Sequence, residues 1–175
     1  MSDFSPLVCV RCADRGRTCC ALSGGDEEFC FPVSASERLA ILASGIGAEA
    51  FVSAPNTQAF VEQLDQLIPD HAVKDIFPAN GSHWRLATTT GGQCILLGGA
   101  GCGLERSIRP FYCRLFPLWV YRGQLTWFTA EECLANEQCN SIADMLRFMD
   151  AEAREIRSLF RAMCHALGLG NSKVI

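Results

Sequence analysis

The sequence is poor in most features that mark a known kind of site. It has three histidines in 175 residues. No two of them stand three or four apart, so a paired-histidine zinc motif such as HExxH is excluded. No Ser-His-Asp arrangement is legible. The formal net charge of −4 offers no basic field, and no nucleic-acid partner is expected. No apolar run reaches the roughly 18 residues that suggest a membrane span, so no membrane partner is expected either. Met1-Ser-Asp-Phe-Ser-Pro-Leu7 shows no basic stretch leading into an apolar one, and hence no secretory signal. The expected location is the reducing cytoplasm, where clustered cysteines serve as metal sites more often than as disulfides. Gly98-Gly-Ala-Gly101 lacks the Lys-Ser/Thr and strand-to-helix context of a phosphate loop. It reads instead as backbone that can wrap a metal and leave room for N–H to sulfur bonds.

Cysteine is the exception, with 11 residues. An odd number pairs poorly as disulfides. Near the N-terminus stand Cys9-x-x-Cys12 and the adjacent Cys19 and Cys20. The first pair has the spacing with which one tight turn grips one metal. Arg11, Arg15 and Arg17 would offset the charge of gathered thiolates. The central stretch from Gly91 to Pro117 carries Cys94, Cys102 and Cys113 between glycine- and proline-bounded turns. Cys133 and Cys139 follow, six apart. Cys30, between Phe29 and Phe31, reads as a core thiol with a ligand role as the alternative, and Cys164, beside the stripe of the last helix, reads as a packing thiol. His71 and His83 could each be a ligand, but a lone histidine reads first as structural or surface.

Nine ligand candidates remain: Cys9, Cys12, Cys19, Cys20, Cys94, Cys102, Cys113, Cys133 and Cys139. They exceed one four-ligand site and approach two. Only one C-x-x-C knuckle is present, whereas structural zinc usually uses two. Irregular spacing of soft ligands fits an iron–sulfur cluster, such as 4Fe–4S, at least as well as zinc. Arg109 and Arg114 flank Cys113. They could stabilise an anionic cluster by charge-assisted bonds, or hold an anionic substrate.

The scaffold is legible in outline. Ser34-Ala-Ser-Glu37 has the form of a capping box, followed by Leu39, Leu42 and Ile46 at helical spacing. Pro55-Asn56-Thr57 starts a helix that Pro69 stops. Trp84–Thr90 and Gln93–Leu97 read as a hairpin turning at Gly91-Gly92. Pro110–Pro117 allows about two helical turns. Leu118–Phe128 reads as a second hairpin around Arg122-Gly123-Gln124. From Ser141 to Gly168 apolar residues recur at three- and four-residue steps, predicting one helix of about 26 residues, 1.5 Å apiece. Its stripe would cover the metal-centred core or a second subunit, making a homodimer. The expected fold is a helix-rich α+β domain with short β-hairpins around a cysteine-ligated metal centre. It spans 1–175, with a core over 9–139 and a packing helix over 141–168.

The order Cys9-x-x-Cys12, Cys19-Cys20, Gly-x-Cys94, Cys102 and Arg109-Pro110-x-x-Cys113-Arg114-x-x-Pro117 resembles the YkgJ-like cysteine-cluster family. The resemblance covers roughly residues 9 to 117, and Cys133 and Cys139 extend it. It implies a zinc- or iron-chelating domain. Larger relatives resemble flagellin lysine N-methylases, which implies an iron–sulfur cluster and methyl transfer for those enzymes. Three functions are therefore carried forward. The first is a metal-binding protein with a structural or electron-carrying centre. The second is a small metalloenzyme of protein modification, by methyl transfer or redox chemistry. The third is a thiol oxidoreductase using Cys9-x-x-Cys12 or Cys19-Cys20.

Overall fold

The computed structural model describes residues 7–15, 18–22, 25–130 and 133–170, without the side chains of Leu7 and Cys9. Cys9 as a ligand and Arg17 as a counter-charge therefore lie outside the described residues. Among the described residues, eight α-helices and three two-stranded antiparallel sheets make a small α+β fold.

Helix α1 is Leu7–Ala13, so Cys12 sits on a helix rather than in the tight turn expected of C-x-x-C. Helix α2, Ala35–Ala43, begins with the capping box: Ser34 Oγ accepts from Glu37 N, and the Glu37 carboxylate accepts from Ser34 N. Its buried face is Glu37 and Ile41, while Leu39 is 66% exposed. Leu42 and Ile46 pack against the smaller of two apolar clusters as their spacing predicts, and Leu39 alone of the three faces out, with buried Glu37 taking the inner position. Strand β1, Phe51–Pro55, pairs with β2, Ser82–Leu86, in the register Phe51↔Leu86. Helix α3, Gln58–Leu67, is capped by Thr57 Oγ1, and the short α4, Val73–Ile76, packs against it.

The hairpin expected between 84–90 and 93–97 turns at Gly91-Gly92 but is short, since residues up to Leu86 pair with β1. The isolated bridge Thr88↔Cys94 and the bonds Thr89 N–H to Gln93 O (2.7 Å), Gly92 N–H to Thr89 O (3.0 Å) and Ile95 N–H to Ala87 O (3.0 Å) make it. β3 (Leu97–Gly98) and β4 (Gly101–Cys102) form a further minimal hairpin. Helix α5, Phe111–Leu115, fills the stretch between the two prolines. β5 (Leu118–Tyr121) and β6 (Gln124–Trp127) then form the expected hairpin. Arg122 and Gly123 both take positive φ, 48° and 74°, as a type I′ turn requires.

The predicted 26-residue helix is two helices, α7 (Ile142–Phe148) and α8 (Ala153–Ala166). Asp150 adopts φ 49°, and its N–H bonds Arg147 O (3.2 Å) while Ala151 N–H bonds Leu146 O (2.9 Å). That double closure is a Schellman stop. The same closure ends α8, with Gly168 at φ 83°. The first stop is hidden in the sequence because it uses Asp, which tolerates the left-handed region less readily than Gly. The α8 stripe of Ile156, Phe160, Met163 and Cys164 is buried within the chain's own core.

Two apolar clusters result. The larger gathers α3, α4, α5, the β5–β6 hairpin, α7 and α8 around Trp119, whose ring meets Phe160 edge-on at 5.0 Å and whose indole N–H donates to Leu67 O. The smaller joins Val33, Ile41, Ala50, Phe51 and Leu104. His83 is buried against the Phe60 ring at 3.9 Å, and its Nδ1 donates to Asn56 Oδ1 at 2.8 Å.

Two predictions follow from these packing details. Asp150→Gly should be about 1 kcal/mol more stable than Asp150→Ala in urea titrations, because only glycine takes the left-handed cap without strain. Burial pulls the His83 pKa down to about 4 from the 6.5 it has when unfolded. The unfolded chain therefore takes the proton first as pH falls, and stability is lost between those two values. Urea midpoints at pH 7 and 4.5 should differ accordingly, and His83→Gln should remove that part of the difference.

Candidate metal centre

Between the two apolar clusters lies a cavity of about 90 Å³, with Leu86 and Leu104 on one side and Ala135 and Met149 on the other. Its sulfur lining comes from five parts of the chain. α1 supplies Cys12 and the segment after it Cys19 and Cys20. Cys94 and Cys102 come from the loop and hairpin between β2 and α5. α5 supplies Cys113, and the N-cap of α6 (Leu134–Gln138) supplies Cys133. Seven cysteines thus border one space. Among the described residues that border it, no histidine or carboxylate appears, and the only charged side chains are Arg106 and Arg109.

Backbone pairing brings the distant cysteines together. Leu22 N–H bonds Gly92 O at 2.9 Å, Ala21 bridges Gln93, and Cys94 N–H bonds Cys20 O at 2.7 Å. Gly92 makes this approach possible. Its φ is 79°, and a Cβ there would stand 2.5 Å from Leu22 O. Arg11 and Arg15, expected among the thiolates, hold α1 to α6 and α7 instead. Arg15 pairs with Glu137, and Arg11 donates to Gln138 and lies over the Phe148 ring at 5.3 Å. Their effect on the site is positional, since they bring Cys12 and Cys133 to the same cavity.

Glu37 fixes the last ligand candidate. Its Oε1 accepts from Phe111 N at 2.6 Å, so one buried carboxylate holds the first turns of both α2 and α5. This anchors the helix that carries Cys113. Tyr112, on the same turn, stacks on Phe31 at 4.6 Å.

The two arginines of the motif part company. Arg109 borders the cavity, with its Nε donating to Leu104 O at 2.8 Å and one Nη to Cys102 O at 3.4 Å. Arg114 does not border it. It lies over the Phe111 ring at 5.6 Å and reaches Ser107 O, since consecutive helical residues point about 100° apart. Arg106 takes the place expected of Arg114, and no spacing in the sequence singled it out. Cys139 also departs from the expected set. It is 6% exposed and belongs to the larger apolar cluster. Cys133 and Cys139 stand at opposite ends of α6, roughly 9 Å apart along its axis, so one reaches the cavity and the other the core.

The thiols differ electrostatically. A hydrogen bond with the Cys19 thiol, the Thr18 hydroxyl and the Arg109 charge hold Cys20 below the usual thiol range, against its burial. Burial pushes Cys94 up to about 11, and the protein atoms around the Cys113 sulfur raise that thiol too, although Cys113 as a residue is exposed. Cys164 is pushed up to about 12 by burial, as a packing thiol should be. Cys20, Cys30, Cys94, Cys113, Cys133, Cys139 and Cys164 are free thiols. Among the described residues, no three His, Cys, Asp or Glu side chains are already grouped as a metal-holding set.

No family model, no curated protein and no solved structure matches this chain.

Gly92→Ala should destabilise the fold by about 1–3 kcal/mol, since it forces a side chain into a left-handed position against a carbonyl oxygen. Urea unfolding would measure the loss. Hydrogen exchange should show it concentrated at the Leu22 and Cys94 amides.

Proposed function

We propose that this chain is a metal-binding protein that holds an iron–sulfur cluster, or alternatively zinc, through its clustered cysteines, with a structural or electron-carrying role. The observation that supports it is the chemistry of the cavity wall, where the described residues offer seven thiols and no oxygen or imidazole ligand from an ionisable side chain. Sulfur-only donor sets select zinc, iron–sulfur clusters or Cu(I) over magnesium, calcium or manganese. The resemblance to the YkgJ-like cysteine-cluster family points the same way, as does the reducing cytoplasm we propose as its location.

The residues present suit such a group in kind and number. Cys20, Cys94, Cys102 and Cys113, with Cys12, Cys19 and Cys133, would hold it. A cluster would supply one-electron redox chemistry, and zinc a crosslink. Arg109 and Arg106 would offset part of the thiolate charge, and Glu37 would hold α5 so that Cys113 keeps its place. The apolar walls would limit water at the sulfurs. Gathering of the thiols and uptake of the metal would be one event, because ligand closure and folding are coupled in sites of this type.

The test is protein purified without air, analysed for metal, acid-labile sulfide and visible absorbance. Iron with sulfide, or stoichiometric zinc, is the expected result. Cys94→Ser and Cys113→Ser should lower the metal content severalfold, whereas Cys139→Ala and Cys164→Ala should retain it. Folded protein that carries no metal, takes none up and is unaffected by chelators would overturn the reading. Such protein with a reversible cysteine disulfide would favour the oxidoreductase instead.

A further inference from the structure

The cysteine cavity shares a wall with a second one. This neighbour holds about 150 Å³, and Cys19, Cys20, Cys94 and Cys113 border it as well. A fifth sulfur joins them there. Cys30, half-buried at the end of the 3₁₀ turn Asp26–Phe29, borders the second cavity and not the first. Cys12, Cys102 and Cys133 border only the first.

We infer that the centre has two metal positions, one in each cavity, and that Cys30 is a ligand of the second. This rests on the metal-binding reading above and extends it. The two cavities together offer eight described thiols, and a four-coordinate soft metal uses four. One such metal would leave half of these sulfurs unused and the second cavity unfilled. The four shared cysteines form the partition, from which thiolates can serve either side. Cations are also distributed to both sides. Arg106 and Arg109 border the first cavity, and Arg85 is near enough for its charge to act on Cys30. The Nε of Arg85 is buried and makes no hydrogen bond among the described residues.

The sequence pattern disguises Cys30. Its aromatic neighbours Phe29 and Phe31 are those of a core thiol, yet Phe29 is 40% exposed and the segment lies along the cavity rim.

Cobalt(II) tests this. Metal-free full-length protein is titrated under nitrogen, following the thiolate-to-cobalt charge-transfer and d–d bands. The wild-type chain should bind two equivalents, Cys30→Ser one and Cys164→Ala two. Cys133→Ser should keep the equivalent that Cys30 holds. If Cys30→Ser fails to fold by circular dichroism, the unmodified chain decides through alkylation of Cys30 by N-ethylmaleimide, read by mass spectrometry. Protection should appear only with the second equivalent. One equivalent in the wild-type chain, with Cys30 alkylated as fast as without metal, would overturn the second position and leave the single centre standing. No cobalt bound at all would overturn both.

Discussion

The backbone contact between residues 20–22 and 92–94 is the constraint on which the cysteine cavity depends. It joins two segments some seventy positions apart, and it puts the Cys20 carbonyl on the Cys94 amide. Such a contact has a large loop-closure cost. It is possible only because position 92 lacks a Cβ and can take a positive φ. Once it forms, Cys19, Cys20 and Cys94 share a wall, and the rest of the chain brings further sulfurs to that wall.

Those deliveries are made by polar contacts outside the cavity. Arg15 with Glu137, and Arg11 with Gln138 and Phe148, bind α1 to the last third of the chain. Glu37 ties α5 to α2. An exposed pair such as Arg15–Glu137 contributes little to stability by itself; its consequence is registration. Buried Glu37 is a different case, because its loss would strand the Phe111 amide and the Ser34 N–H at once. The site therefore sits between two apolar clusters, neither of which closes over it alone.

The thiols that border the cavity differ in how readily they ionise. The protein atoms around their sulfurs keep Cys94 and Cys113 protonated at neutral pH, while Cys20 is held lower by its thiol and hydroxyl neighbours. Thiolates crowded together without metal would repel one another. The fold limits that repulsion by raising the Cys94 and Cys113 thiols above the ordinary value, and among the described residues Arg106 and Arg109 border the main cavity.

Local features were readable from the sequence because local interactions settle them. The Ser34–Glu37 capping box, the Thr57 cap, the Arg122-Gly123 turn and the short helix between Pro110 and Pro117 all depend on residues within a few positions of one another. The small α+β class and the packing role of Cys164 were readable too. The direction a side chain faces was not readable in this way. Leu39 faces out because buried Glu37 finds partners 74 positions away. The strand from Ser82 pairs with β1 rather than forward, and Asp150 ends a helix without the glycine that would announce it. Which cysteines meet was decided at the same level. Cys133 and Cys139 share one short helix but face different surroundings, Arg106 stands where Arg114 was expected, and Cys30 lies at a cavity rather than in the core. Spacing along the chain supplies the thiols, but long-range pairing between segments decides which of them border a common space.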